Sequence, residues 1–414
     1  EFQVLNPSPS YPDFSVFVNG TTPIAQYTPC VKIVQSMNSH SLAFLDVVYV
    51  GSNIGTTTNR SSHKWAYIKE GTPIQIVYGQ KPNFMNAFVG YISSYELIRL
   101  GTDKASNKLT MSTVRYTITG ASQVMQSTNN TAWKHTSPST IAGNIANKNG
   151  MRGIIHVYQA AIDYRLQNSS DFKFLAQLAD EIGYRFYVDN TDLYFINPTQ
   201  ILSRNNARNI PQFWSYNQPG LYDTIRSFRP VVGTITPDGG IVANRNVIGL
   251  NPTTGQLTQA TALANATTAA GNQIADYITK YYNAAPAESY YEAQQKVNAD
   301  ALKNLYWNTA TSTLRGDARV HPNSLVNLAG AALTPDEVGL WLVNDATHYL
   351  EKQPPGGNKY ANTYTTDATL IRDHIYTANT SQLSALQDLT RSVPAKLVGG
   401  KWISSNIGAT IYAT

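Results

Sequence analysis

Residues able to do chemistry are thinly spread through this chain. Its seven histidines (His40, His63, His135, His156, His321, His348 and His374) never fall at metal-ligand spacing, and no H-E-x-x-H occurs. Neither a nucleophile-elbow pattern nor a phosphate-binding P-loop is present. Paired carboxylates would suit a glycosidase, which needs two acids roughly 5–10 Å apart with one held protonated. Asp180 and Glu181 are adjacent and so point apart on a helix, while Asp189 and Asp192 fall in a turn, where Asp serves local hydrogen bonding. His321 and His348 sit in strand-and-turn segments and are expected to be structural. No acid–base pair stands out, so the chain reads as a non-enzyme with no catalytic residue, cofactor or metal. The lone Cys30 can build neither an intramolecular disulfide nor a cysteine zinc site. Placed after Pro29 and before "VKIVQ", it is expected as a buried small hydrophobe. Sequons at Asn19, Asn129 and Asn265 arise by chance in a chain so rich in Asn and Thr, and imply no glycosylation.

The elements that would position any site come next. The 414 residues allow two or three domains and a sizeable core. Apolar residues make up 42%, and charged residues only 14%, against roughly 25% in an average soluble domain. Polarity comes instead from Thr, Asn, Ser, Gln and 26 Tyr. Two readings fit that mix: twisted β-surface built for protein contact, or a secreted β-rich protein. The net charge of +5 is not concentrated in any Lys/Arg run, which argues against sequence-specific nucleic-acid binding. No stretch reaches about 18 uncharged apolar residues, so no transmembrane helix or stable membrane insertion is expected. The start, "EFQVLNPSPSYP", does not look like a signal peptide. It lacks Met, which points to processing or to a beginning further upstream.

Along the chain, residues 1–12 carry Pro7, Pro9 and Pro12 and read as an extended arm. Strands dominate 13–120. "FSVFVNGTTPIA" turns on Asn19-Gly20, "SLAFLDVVYV" puts Ala43, Leu45, Val47 and Tyr49 on one face, and "EGTPIQIVYG" alternates Ile74, Ile76 and Tyr78. "NAFVGYISSYELIRL" and "KLTMSTVRYTITG" extend a series that suits a small barrel or sandwich. Residues 121–215 change texture. Ser137 caps a helix with Pro138 at its first position and Gly150 as its stop; "GIIHVYQ" is a strand. Ser170 caps a second helix with Asp171 in its first turn, and Phe172, Leu175, Ala179 and Ile182 recur at helical spacing. Gly183 ends it, and Tyr184–Val188 and Leu193–Ile196 form a hairpin about Asp189–Asp192. Residues 216–375 return to β, interrupted by an expected helical stretch at 257–307. There Ile274, Tyr277, Ile278 and Tyr281, then Val297, Ala301 and Leu305, recur at helical spacing. Such helices either cover a barrel face or offer a partner-binding groove. "TLRGDARVHPNSLVNLAG" reads strand, proline corner, strand, and "VGLWLVNDATHYLEK" and "KYANTYTTDATLIRD" pair across a loop. Residues 376–414 hold a short helix at Leu383, Leu386 and Leu389, then an extended tail with too little core to stand alone.

The stretch "SSDFKFLAQLADEIGYRFYVDNTDLYFINP" resembles a segment shared by phage tail hub proteins. These are the late control protein D family of contractile phages and the hub region of type VI secretion spike proteins. Ser170, Asp171, Phe172, Phe174, Leu175, Leu178, Ala179, Gly183, Leu193 and Phe195 occupy the family pattern, and "TIAGNIANKNG" is similar to its upstream helix. "LRGDARVHPNSLVNLAG" is similar to a second segment through Gly316, Asp317, Val320, Pro322, Val326, Leu328 and Gly330. It departs at Asn323, where Gly is common; Asn tolerates the same positive φ. The first 120 residues match more loosely, through "GTPIQIVYG" and "FVGYIS".

The resemblance implies a mainly β chain with α insertions (α+β): two β-barrel tube-type domains plus a helix–hairpin module. It implies a homotrimer whose six barrels form a pseudo-sixfold ring at the tip or baseplate of a virion tail. Such a ring would meet the tail tube or distal tail protein, a central spike or fibre, and the tape-measure protein. DNA would pass through its lumen without sequence-specific binding. A tail-carried cell-wall hydrolase and a carbohydrate-binding adhesin are the alternatives.

Overall fold

The computed structural model of the chain describes residues 10–50, 68–82, 85–103, 108–158, 161–197, 210–215, 224–231, 244–250, 257–263, 279–283, 308–335, 337–372, 395–406 and 411–413. The expected arm before residue 10, the leucine helix at 383–389 and the stripe at 297–305 lie outside these residues.

Alternating side chains and tight turns build the first run of strands. β1 (Tyr11–Val18) turns through Asn19 and Gly20, at φ 52° and 77°, into β2 (Thr22–Pro23). β3 (Cys30–Gln35), β4 (Leu42–Val50), β5 (Pro73–Lys81), β6 (Met85–Asp103) and β7 (Lys108–Gly120) follow. With side chains pointing to alternate faces, Phe14, Ile33, Leu45, Ile74, Tyr78 and Ile118 all turn inward to one core.

A 3-10 turn at Ala121–Gln126 leads into the mixed module. Its elements are β8 (Thr131–Thr136), α1 (Pro138–Lys148), β9 (Arg152–His156), β10 (Ile162–Gln167), α2 (Asp171–Ile182), β11 (Arg185–Asp189) and β12 (Asp192–Ile196). Ser137 accepts the Thr140 amide to open α1, and Gly150 follows its C-cap at φ 73°. β9, β11 and β12 share one small sheet, in which β12 runs parallel to β9.

The remaining strands are β13 (Gln212–Trp214), β14 (Ile225–Val231), β15 (Asn244–Leu250), β16 (Leu257–Leu263), β17 (Thr279–Asn283), β18 (Asn308–Arg315), β19 (Leu325–Ala329), β20 (Gly339–Glu351) and β21 (Thr363–Arg372). Close to the end come β22 (Ala395–Val398), β23 (Lys401–Ser404) and β24 (Ile411–Ala413). The expected helix at 257–307 is corrected at both places where that stretch is described. Residues 257–263 form β16 and 279–283 form β17, each hydrogen-bonded to β15. Thr279, Tyr281 and Tyr282 are strand formers, and pairing with a distant strand outweighs the i, i+3, i+4 spacing.

Two separate closed barrels are not seen. The strands flanking the module join one 13-strand sheet, whose main path runs β14-β18-β21-β20-β3-β4-β7-β6-β5-β1-β2 and does not close among the described residues. The cause is β20, thirteen residues long. One of its edges pairs first with β19 and then with β3, and an irregularity between Val343 and Asp345 lies where the neighbour changes. A single strand thus carries the second core, around Trp341, Val343 and Leu370, into the first, which takes Leu350 and Tyr364. The fold is mainly β with helical insertions. None of the described helices is long and apolar enough to cross a membrane.

Candidate functional site

Two groups of residues singled out by sequence lie in different places. The first is the module. Ser170 accepts the Lys173 amide at 3.3 Å, and Gly183 closes α2 at φ 73°. Phe174, Leu175, Leu178 and Ala179 bury against Ile141 and Ile145 of α1 and against Leu193 and Phe195 of β12. Phe172 stacks on His40, with ring centroids 3.9 Å apart, and meets Phe186 edge-on at 4.9 Å. His40, whose Nδ1 lies 2.7 Å from Ser122 Oγ, is therefore part of the module's seat. Burial lowers the His40 pKa and keeps its ring neutral.

Asp171 does more than face a helix dipole. Buried to 2% exposure, its carboxylate accepts from Asn129 Nδ2 and Asn149 Nδ2 at 2.9 Å and from Gln167 Nε2 at 2.8 Å. Lys148 Nζ lies 3.1 Å from Oδ2. The carboxylate thereby ties the end of α1 and the β8 and β10 ribbon to the start of α2, because a buried charge is tolerable only when its lone pairs are filled. Sequence reading missed these partners: Asn and Gln placed four to forty-two residues away carry no local signal.

The hairpin turn is likewise a fastener. Asn190, at φ 54°, donates to Ala87 O at 2.7 Å and accepts from Val89 N at 3.1 Å, so its side chain pairs with the β6 backbone. Asp192 meets Arg152 through two bonds of 2.9 and 2.8 Å, both side chains being about 5% exposed. That fork replaces the local turn bonding expected of Asp192. Cys30 also differs from expectation: it is half-buried, with its Sγ 3.2 Å from Asp46 Oδ2. Burial first, then the Asp46 carboxylate, push its thiol up to about 12.

The second group is the corner between β18 and β19. Gly316 lies under the Tyr364 ring, where a Cβ would come within 2.0 Å of Cγ. Asp317 accepts a fork from Arg319, with Nε at 2.9 Å and Nη2 at 2.6 Å, and caps the Arg319 amide at 2.9 Å. Pro322 is buried, and Asn323 adopts φ 63°, the left-handed conformation expected at this position. Gly330 sits at φ 121° with Ser215 O only 2.0 Å from where a Cβ would stand.

This corner inserts into the first core. Ala318 packs there, Gln80 donates to Gly316 O at 3.3 Å, and Asn86 donates to Ala318 O at 3.2 Å. Beneath it His348 is fully buried, with Tyr364 Oη 2.8 Å and Thr366 Oγ1 3.1 Å from Nδ1. Burial holds the His348 pKa down at about 4, so the ring is neutral and structural.

The tail closes over the module. Trp402, 2% exposed, donates its indole NH to Gly90 O at 2.9 Å, and its backbone NH meets Tyr91 Oη at 2.6 Å. Ser404 N donates to Gly150 O, and β24 adds in parallel to β9. On the large sheet, the face turned away from the core carries a shallow polar groove of about 400 Å³ lined by Arg229, Thr311, Thr313, Asp345, Thr347 and Asp367. No group of three or more His, Cys, Asp or Glu among the described residues is arranged to hold a metal.

No protein-family model matches this sequence, and a search of curated proteins finds no match. Solved structures do match. The 43 kDa tail protein of prophage MuSo2 from Shewanella oneidensis aligns with a TM-score of 0.53 at 11% identity, covering 90% of this chain and 98% of that one. A chain of a lidless PdpA–VgrG complex aligns with a TM-score of 0.52 at 6% identity, covering 90% and 66%. A chain of the half-lidded Francisella PdpA–VgrG complex gives 0.50 at 8% identity, covering 90% and 59%. At such identities the likeness is one of fold: this chain has the fold of a prophage tail protein and of a chain in PdpA–VgrG complexes.

Proposed function

We propose that this chain is a structural hub of a virion tail, located at the tail tip or baseplate. Three copies form a pseudo-sixfold ring, each copy contributing its two β-rich halves. One side of the ring meets the tail tube or distal tail protein, and the other meets a central spike or fibre. The lumen holds the tape-measure protein and later passes DNA, without bond-breaking by this chain.

The observation that carries this reading is the extent of the fold match, 98% of the MuSo2 tail protein. It gains support from how the motif residues are used. Phe174, Leu178 and Phe195 pack a core, Asp171 satisfies buried amides, and Gly316 makes room for a ring. All of them position secondary structure, which suits a scaffold.

Mass measurement in solution tests the reading. Light scattering on the purified full chain is expected to give about three times the 45.5 kDa of one copy, and negative-stain images are expected to show rings with a central channel. A monomer at every concentration would overturn it. So would cell-wall cleavage on a zymogram that survives removal of trace hydrolases.

A further inference from the structure

The last described segment is held to the rest of the chain as a ligand is held to its site. β22 and β23 form a hairpin on Gly399 and Gly400, both at positive φ (57° and 78°), and β24 follows. A lone two-stranded hairpin is marginal in water, and this one seats its tryptophan against other segments. Trp402 clusters with Val89, Tyr91 and Ala121. Its indole NH donates to Gly90 O at 2.9 Å and its amide NH to Tyr91 Oη at 2.6 Å. The next two residues seat on the module. Ile403 Cγ2 lies 2.7 Å from where a Gly150 Cβ would stand, and fully buried Ser404 donates its amide to Gly150 O at 2.8 Å. β24 then adds to the edge of β9.

The walls of this slot keep their shape through bonds that do not involve the tail. Gly90 and Tyr91 are paired on both sides, with β5 and with β7. Gly20 leaves a gap that the Trp402 ring fills, since a Cβ there would stand 3.0 Å from Cη2. Its turn is pinned by Asn19 N donating to Pro73 O at 2.8 Å. Gly150 N donates to Asn147 O at 3.1 Å, and β9 is held by β12 and by the Arg152–Asp192 fork. The dependence runs one way: the tail needs the slot, whereas the slot is bonded without the tail. Residues 373–394 connect Arg372 to Ala395, far more than the usual connection of about 4–6 residues. Chain connectivity therefore does not force the tail into place. A side-chain pocket beside a strand edge is how a domain takes an extended peptide, with backbone pairing for affinity and the pocket for selectivity.

We propose that this slot is a peptide-binding site occupied by the chain's own tail, and that the tail is its exchangeable ligand. The ligand class is a hairpin with an indole two residues after a Gly-Gly turn, followed by a strand that adds parallel to β9. Tethering gives the tail a high effective concentration, so the slot stays filled in the intact chain. Weakening the tail opens the slot to the same peptide from solution. The site is independent of the ring proposed above.

A labelled peptide of residues 395–414 tests it by fluorescence anisotropy. Full chains carrying Trp402→Ala or Tyr412→Pro have a weakened tail and unaltered slot walls, and circular dichroism is expected to show them folded. Each is expected to bind the peptide at least about tenfold more tightly than the wild-type chain, whose slot is filled. The same peptide with Trp402→Ala is expected not to bind. Adding Gly20→Asn to the Trp402→Ala chain keeps the left-handed turn and puts a side chain where the ring sits, so binding is expected to disappear. Folded variants that ignore the peptide overturn the proposal, as does equal binding by the alanine peptide or binding that survives Gly20→Asn. Unfolding of both tail variants also overturns it, because the tail would then be part of the core rather than a ligand.

Discussion

The helix–hairpin module and the corner at residues 316–330 are both densely bonded, yet they are held by different means. The module is held chiefly from within, by a cap at Ser170, a left-handed stop at Gly183, and a carboxylate at Asp171 that gathers amides from neighbouring elements, with Asn190 and His40 seating it on the rest of the chain. The corner is fixed from outside. Gly316 and Ala318 are held by Tyr364, Gln80 and Asn86, which lie on strands far away in sequence. Local bonding allows a segment to be correct before the rest folds, whereas a long-range seam becomes correct only when the whole sheet does.

Replacing Asp171 with Ala tests the inner mode and is expected to have the largest effect, about 3–5 kcal/mol by denaturant unfolding. The buried Asn149 and Gln167 amides and the half-buried Asn129 amide lose a shared charged acceptor at once. Hydrogen exchange in that variant should quicken first in α1 and α2, with β3 and β20 still protected; uniform loss across both regions would show that the two are one cooperative unit.

Gly316→Ala tests the outer mode. Its Cβ has no room beneath the buried Tyr364 ring, so about 3 kcal/mol is expected, with exchange quickening at the β3–β20 seam. A loss below about 0.5 kcal/mol would mean that the ring shifts freely and the seam is loose.

Acid should reach the seam through His348. Its folded pKa of about 4 lies below the unfolded value near 6.5, so the unfolded chain takes up the proton first. Stability from this site is complete above about pH 6.5 and falls as pH drops toward 4, by about 3 kcal/mol in all. Comparing wild type with His348→Gln between pH 7 and 4 checks this: the variant should lose less on acidification.

The smallest effects belong to the caps of α2. Ser170→Ala and Gly183→Ala should each cost about 1 kcal/mol in thermal unfolding. If Gly183→Ala proved neutral, the left-handed stop would contribute nothing to the module's self-sufficiency.

Much of this protein was legible wherever the physics is local. The two helix starts at Ser137 and Ser170, the Asn19-Gly20 turn and the positive φ at Asn323 all follow from residues within a few positions. The inward faces of β4 and β5 follow from simple alternation. Reading failed where a residue's partner lies far along the chain. The spacing around Tyr277 and Tyr281 suggested a helix, but β15 supplies a pairing edge that makes 279–283 a strand. Cys30 looked apolar until Asp46 was placed beside it, and Asp192 looked like a turn residue until Arg152 was. The tail was expected to lie along something else, and only the fold reveals that Trp402 seats against Gly90 and Tyr91.

The sequence by itself determined the strand-rich character, the module's helices and caps, and the turn residues, because each depends on side chains spaced within one turn or one pleat. The tertiary structure alone decided that the two β-rich halves share one sheet through β3 and β20, and that Asp171 and His348 are buried polar centres. Those outcomes depend on which distant backbone and side-chain groups satisfy one another once water is excluded, a choice that no short window of residues contains.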